Sequence, residues 1–75
     1  MKLIAPRISV DPEVGFGKPV IAGTRVPVSV IVGHIAAGDS SEDVQREYGL
    51  EIEDVRAALS YEAKLVEDEA IRATN

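Results

Sequence analysis

Lysine and arginine side chains in and near one short segment are the residues of this chain best suited to chemistry. Residues 17–28, "GKPVIAGTRVPV", carry Lys18 and Arg25 among two glycines and two prolines, and Arg7 lies shortly before them. Such cations form charge-assisted hydrogen bonds with phosphate or carboxylate oxygens. If this chain binds DNA, Arg7, Lys18 and Arg25 are the better candidates to contact it, as in β-ribbon readers. Capping or pairing of Arg25 inside the fold is the alternative.

Catalytic chemistry has few candidate residues. His34 lies five residues before Asp39, but no nucleophile or metal-ligating set accompanies the pair, and the chain has no cysteine. We therefore expect His34 to be a solvated residue on a helix face. The glycines at positions 15, 17 and 23 lack the strand–loop–helix order of a phosphate-binding loop. The sequence predicts a non-enzymatic protein with no metal or cofactor.

Charge is distributed unevenly over a net of −5. Residues 1–38 carry four cations and two acids, a net of +2, whereas residues 39–75 carry four cations and eleven acids, a net of −7. The asymmetry predicts two surfaces with different partners, and the negative total argues against a generic nucleic-acid binder. No segment has the ~18 apolar residues of a membrane span or the apolar stretch of a signal peptide, so we expect a cytoplasmic protein without membrane contact.

A β-ribbon followed by three helices would position these residues. Short extended runs at 7–10, 20–21 and 24–26 predict a ribbon over residues 7–26. Pro27 suits the first position of a helix that ends at Gly38. The predicted fold is mainly α with a short N-terminal β-ribbon, in one domain over residues 1–75.

The other two helices are marked by their ends. Ser40 is the predicted N-cap of the second helix, and Gly49 ends it. The third helix, over 52–73, would be roughly 30 Å long. Inside the first helix, Gly33 suggests the close approach of another backbone. Aliphatic residues dominate the expected core, which also includes the three aromatics Phe16, Tyr48 and Tyr61.

The second and third helices resemble a helix-turn-helix, with residues 27–63 as its core. The expected buried positions around Gly49 are Val44, Tyr48, Leu50, Val55 and Ala58. Only Arg56 and Ser60 could read DNA from the third helix, and nearby carboxylates at 51, 53 and 54 would repel phosphates. A plain structural corner is the alternative.

The third helix carries a longer apolar stripe than the shorter first two helices can cover, so residues 64–75 should overhang the core. Such a stripe normally finds a partner. A copy of the same chain in a homodimer is one candidate, and a different protein is the other.

A resemblance adds to this interpretation. The segments "RISVDPEVGFGKPVIAGTRVPV", "AAGDSSEDVQREY" and "EDVRAALSYEA" resemble the bacterial antitoxin-like family known as domain-of-unknown-function family 433, over residues 7–63. The G-K-P-x-I-x-G-T-R-x-P pattern is its most specific part. Gly49 and Glu51 depart from the family, which often has proline and threonine there.

The resemblance implies a homeodomain-like or winged-helix-like helix-turn-helix domain that acts as a VapB-type antitoxin beside a PIN-like ribonuclease toxin. An antitoxin can cover such a toxin's carboxylate cluster and place a cation in it. We expect the protein-binding segment within residues 65–72, anchored by Leu65, Val66 and Ile71. Lys64 or Arg72 would be the inserted cation.

The leading hypothesis is a non-enzymatic, homodimeric antitoxin that neutralises a PIN-like toxin and represses its own operon by binding operator DNA. A helix-turn-helix transcription regulator without a toxin is one alternative. A structural homodimeric interaction domain is the other.

Overall fold

The computed structural model describes the backbone of residues 1–73 and the side-chain surroundings of residues 1–69. Three short strands are followed by three helices. In chain order the elements are β1 (Lys2–Ala5), β2 (Ile8–Val10), β3 (Val20–Ile21), α1 (Val28–Ala36), α2 (Ser41–Tyr48) and α3 (Ile52–Ala73). The chain is therefore mainly α-helical with an N-terminal β-ribbon, as its sequence predicted. No helix in the described part of the chain has both the length and the apolar character needed to cross a membrane.

The three strands form an antiparallel sheet with β2 in the centre and β1 and β3 at its edges. The sequence did not predict β1, because its adjacent Leu3 and Ile4 do not alternate with polar residues. β1 turns into β2 through Pro6 and Arg7, and a register shift between Leu3 and Ala5 marks an irregularity. β1 is a strand because β2 supplies its hydrogen-bond partners, a tertiary effect that outweighs local propensity.

Residues 24–26 do not form the strand that was predicted there. The Thr24 hydroxyl donates to the carbonyl oxygen of Ile21 at 2.8 Å and accepts from the N–H of Val26 at 3.0 Å. Gly23 has a φ of 81°, which glycine adopts without steric cost. The segment is thus a turn stabilised by the Thr24 side chain. After the turn the chain lies alongside β3, where the N–H of Ile21 donates to the carbonyl of Val26 at 3.0 Å.

Local capping chemistry sets the ends of the helices. Pro27 is the N-cap of α1 rather than its first helical residue, and Gly38 follows the helix with a φ of 100°. At α2, the Ser40 hydroxyl accepts a hydrogen bond from the N–H of Asp43 at 3.1 Å, which confirms the predicted cap. Gly49 ends α2 in the left-handed region, as predicted.

The interior is one cluster of aliphatic side chains from the sheet and all three helices. Its buried members are Ile8, Ile21, Val28, Ile31, Val44, Leu50, Val55 and Ala58. The burial expected of Val44, Leu50, Val55 and Ala58 is confirmed. Tyr48 and Tyr61 pack partly buried against this cluster.

One packing expectation for the helices was wrong. A Cβ at Gly33 would meet nothing within 4 Å, so no backbone in the described part of the chain approaches this glycine. On α3, Val55 and Ala58 are buried, whereas Val66, farther along the same helix, is 58 % exposed. Residues 63–69 are all exposed, so the buried face of α3 ends before them.

Candidate functional site

The Lys18-Pro19 segment is fixed against the start of α1. The carbonyl oxygen of Pro19 accepts a hydrogen bond from the N–H of Val28 at 3.0 Å, and the carbonyl of Arg7 accepts from the N–H of Ala22 at 2.8 Å. The glycines, prolines and threonine of residues 17–28 thus shape a compact connection between sheet and helix. Lys18 and Arg25 keep exposed side chains on this scaffold.

A groove of about 260 Å³ lies beside Lys18 and Pro19, and we call it the GKP groove. The residues that line it are Lys18, Pro19, Val28, Ser29, Tyr61, Glu62 and Leu65. It joins the beginning of α1 to the middle of α3, two segments that lie far apart in the sequence. The GKP groove brings together Lys18, predicted to contact DNA, and Leu65, predicted to contact a protein.

Phe16 precedes the groove residue Lys18 by two positions and is the largest departure from the expected core. Its side chain is 97 % exposed, and its backbone is left-handed, with φ 57° and ψ 34°. Gly15 and Gly17 on either side also have positive φ, at 61° and 79°. A left-handed conformation costs a non-glycine residue roughly 1–2 kcal/mol. The chain therefore holds its only phenylalanine in a strained turn without burying it.

Arg7 is committed to an ion pair within the fold. Its Nη1 donates to Asp54 Oδ1 at 2.9 Å, while Asp54 Oδ2 accepts from the N–H of Glu51 at 2.9 Å. The hydrogen bond to Asp54 raises the pKa of Arg7 above its usual value. Asp54 thus caps the start of α3 and ties the β1–β2 turn to it, so Arg7 is less available for DNA than the sequence suggested.

The remaining DNA candidates do not line the GKP groove with Lys18. Arg25 lines a separate cavity of about 210 Å³, with Met1, Asp11 and Thr24 among its other lining residues. Arg56 and Ser60 are exposed on α3, one helical turn apart.

The predicted protein-binding segment is exposed where the structure describes it. Leu65 is 41 % exposed and Val66 58 % exposed, and Lys64 beside them is also exposed. Leu65 contributes to the GKP groove, whereas Val66 and Lys64 do not. The predicted contacts of Ile71 and Arg72 lie outside the residues whose side chains are described.

His34 is not the solvated residue that was expected. Its Nδ1 lies 2.6 Å from Asp39 Oδ2, its Nε2 lies 2.8 Å from the hydroxyl of Tyr48, and its side chain is only 28 % exposed. Both ring nitrogens thus have polar partners. The three side chains therefore tie the ends of α1 and α2 together. The sequence signalled the Asp39 contact but not the one with Tyr48.

No part of the described chain gathers three or more His, Cys, Asp or Glu side chains that could hold a metal ion. Both ring nitrogens of His34 already have polar partners.

Comparison with known proteins identifies the family to which this chain belongs. A family model described as "Protein of unknown function (DUF433)" matches residues 8–61. The crystal structure of a DUF433 member from Anabaena variabilis is similar to it with a TM-score of 0.74 and 28% identity, over 92% of this chain and 69% of that one.

Two proteins of Mycobacterium tuberculosis are also similar. The crystal structure of Rv2018 has a TM-score of 0.64 and 35% identity, over 69% of this chain and 24% of that one. "Uncharacterized protein Rv2308" is 30% identical over 59 residues, 79% of this chain, and the chain spans 25% of its length. With the family model matching residues 8–61 and the fold shared, this chain belongs to the DUF433 family.

Proposed function

We propose that this chain is a non-enzymatic, antitoxin-like binding protein that inhibits a PIN-like ribonuclease toxin through the distal part of α3. The observation that carries the proposal is the exposure of Leu65 and Val66 on helical turns beyond the buried face of α3. Apolar residues on such a helix bind by entering a hydrophobic groove of a partner. The antitoxin class comes from the resemblance described above.

The charged residues near Val66 affect whether the Lys64 cation or the apolar Val66 contact supplies more of the binding energy. Lys64 is exposed and could enter the carboxylate cluster of a nuclease. Glu67 and Asp68, however, follow Lys64 at i+3 and i+4, the spacing at which helical side chains are neighbours. They partly neutralise the cation. We therefore assign the larger share of the affinity to the apolar contact of Val66.

The test uses the reading frame next to this chain's own gene. Its product is expressed in a bacterial host, alone or with the full-length chain, while growth and RNA cleavage are followed. We expect the wild-type chain to restore growth and Val66→Asp to fail, because a buried unpaired carboxylate opposes docking. Leu3→Asp is the matched control, since Leu3 is 59 % exposed and Val66 58 %.

Two results would contradict the proposal. One is a Val66→Asp variant that protects as well as the wild-type chain. The other is a neighbouring product that neither slows growth nor cleaves RNA.

DNA binding by α2 and α3, with repression of the chain's own operon, is the second candidate function. Arg56 and Ser60 favour it, because both are exposed on α3 next to a turn with the expected helix-turn-helix burial pattern. The exposed Glu51 and Glu53 oppose it. Fluorescence polarisation with promoter DNA tests it, and binding that weakens steeply with salt is the expected result.

A further inference from the structure

A second feature of the surface, centred on Phe16, goes beyond the proposed toxin contact. Phe16 is strained and 97 % exposed, so the described part of the chain leaves its ring almost uncovered. Residues in strained backbone conformations cluster at ligand-binding and switch regions. Exposed aromatic rings are also the side chains that most often anchor protein–protein interfaces.

The backbone that carries this ring leads into the GKP groove. Phe16 precedes the groove residue Lys18 by two positions, which limits the distance between their Cα atoms to about 8 Å. Pro19, Tyr61 and Leu65 give the groove apolar walls. The exposed ring and the apolar groove are therefore carried by neighbouring positions of the chain.

This arrangement allows the surface to be complementary to itself. In a two-fold dimer each contact occurs twice, because residue i of one copy meets residue j of the other and the reverse. A two-fold axis passing between ring and recess would place the Phe16 of each copy at the groove of the other. A single two-fold rotation thus buries both Phe16 rings and fills both grooves.

The charges in the groove also match across such an axis. Lys18 and Glu62 line the same groove with opposite charges. Two copies facing each other would place each Lys18 near the Glu62 of the partner copy, giving two cross-chain ion pairs. A net charge of −5 per chain opposes self-association in general, so a locally balanced contact is what a homodimer of this protein requires.

We propose that a second copy of this chain docks on the GKP groove about a two-fold axis, with Phe16 of each copy inserted into the groove of the other. The homodimer expected from the sequence relied on the apolar stripe of α3 alone. The present surface is centred on the 15–19 loop and shares Leu65 with the proposed toxin contact, whereas Val66 and Lys64 lie outside the groove.

Sedimentation equilibrium of the full-length chain tests the proposal, over concentrations of about 1 µM to 1 mM, which span weak to moderate affinities. The wild-type mass should approach twice the 8.0 kDa of one chain. Phe16→Ala should raise the dimer dissociation constant at least roughly tenfold, as loss of an interface anchor does. Phe16→Leu should have a smaller effect. Leu3→Ala, an exposed apolar residue of β1, is the control and should leave the dissociation constant unchanged.

A charge exchange provides the second arm. Lys18→Glu and Glu62→Lys should each weaken the dimer, whereas the double variant should recover most of the wild-type affinity. Circular dichroism at low concentration checks the fold, which Phe16→Ala should leave intact because the ring is exposed. A mass of 8.0 kDa throughout the range would overturn the proposal. So would a dimer indifferent to Phe16→Ala, a loss as large in Leu3→Ala, or a double variant as weak as the single ones.

Discussion

The same substitution at two glycines should change stability in opposite directions. Gly49 ends α2 with φ 67° and ψ 38°, in the left-handed region. Gly33 lies inside α1, where φ is negative in every helical residue. An added Cβ would meet nothing within 4 Å at either position, so new contacts do not contribute. Backbone conformation alone distinguishes Gly49→Ala from Gly33→Ala.

The magnitudes follow from that difference. Alanine in a left-handed conformation costs roughly 1–2 kcal/mol, so Gly49→Ala should lower the free energy of unfolding by about that amount. Alanine in a helix interior is about 0.5–1 kcal/mol better than glycine, so Gly33→Ala should raise it. For a domain of 60–100 residues, about 1 kcal/mol moves the melting temperature by roughly 4–8 °C.

Gly49 also has a packing consequence. The N–H of Leu50 donates to the carbonyl of Gln45 at 2.9 Å, which directs Leu50 back into the core at 8 % exposure. If Gly49→Ala disturbed this return, the denaturant dependence of unfolding would change as well as the midpoint. We expect an unchanged slope, because strain is the only cost.

Urea denaturation of both variants at one protein concentration is the assay, since association alters apparent stability. Destabilisation by Gly33→Ala would refute the reasoning, because it would mean that something packs on this glycine. A neutral Gly49→Ala would refute it as well.

Two further predictions concern carboxylates. Asp54→Ala should lower the free energy of unfolding by about 1–2 kcal/mol in urea denaturation, because the N–H of Glu51 loses its acceptor, and an equal stability would contradict the capping role. The hydrogen bond from the N–H of Glu13 lowers the pKa of Asp11 below its ordinary value of 3.8. The stabilisation that the ionised Asp11 gives the folded state is therefore present above pH 3.8 and lost as pH falls through the lowered pKa. Asp11→Asn should therefore make the free energy of unfolding fall less steeply at acidic pH. The same dependence of the free energy of unfolding on acidic pH in the variant and the wild type would contradict this.

Several features of the fold were readable from short stretches of sequence. Ser40 and Gly49 mark the ends of α2 because capping and left-handed termination depend on a few neighbouring residues. The burial of Val44 and Val55 followed from helical periodicity. Exposure of Leu65 and Val66 was also foreseeable, since a helix much longer than its neighbours cannot bury its whole length.

Other features required contacts between distant residues. The pairing of Arg7 with Asp54 joins positions 47 residues apart. β1 is a strand because it pairs with β2 through backbone hydrogen bonds. His34 contacts Tyr48 only when α1 and α2 pack together.

The sequence by itself determined the mainly helical class and both ends of α2, because these depend on backbone preferences within a few residues. Only the tertiary structure decided that Phe16 lies outside the core and that a groove joins Lys18 to Leu65. The physical reason is that a side chain's burial depends on which distant segments meet around it, and no local pattern specifies that meeting.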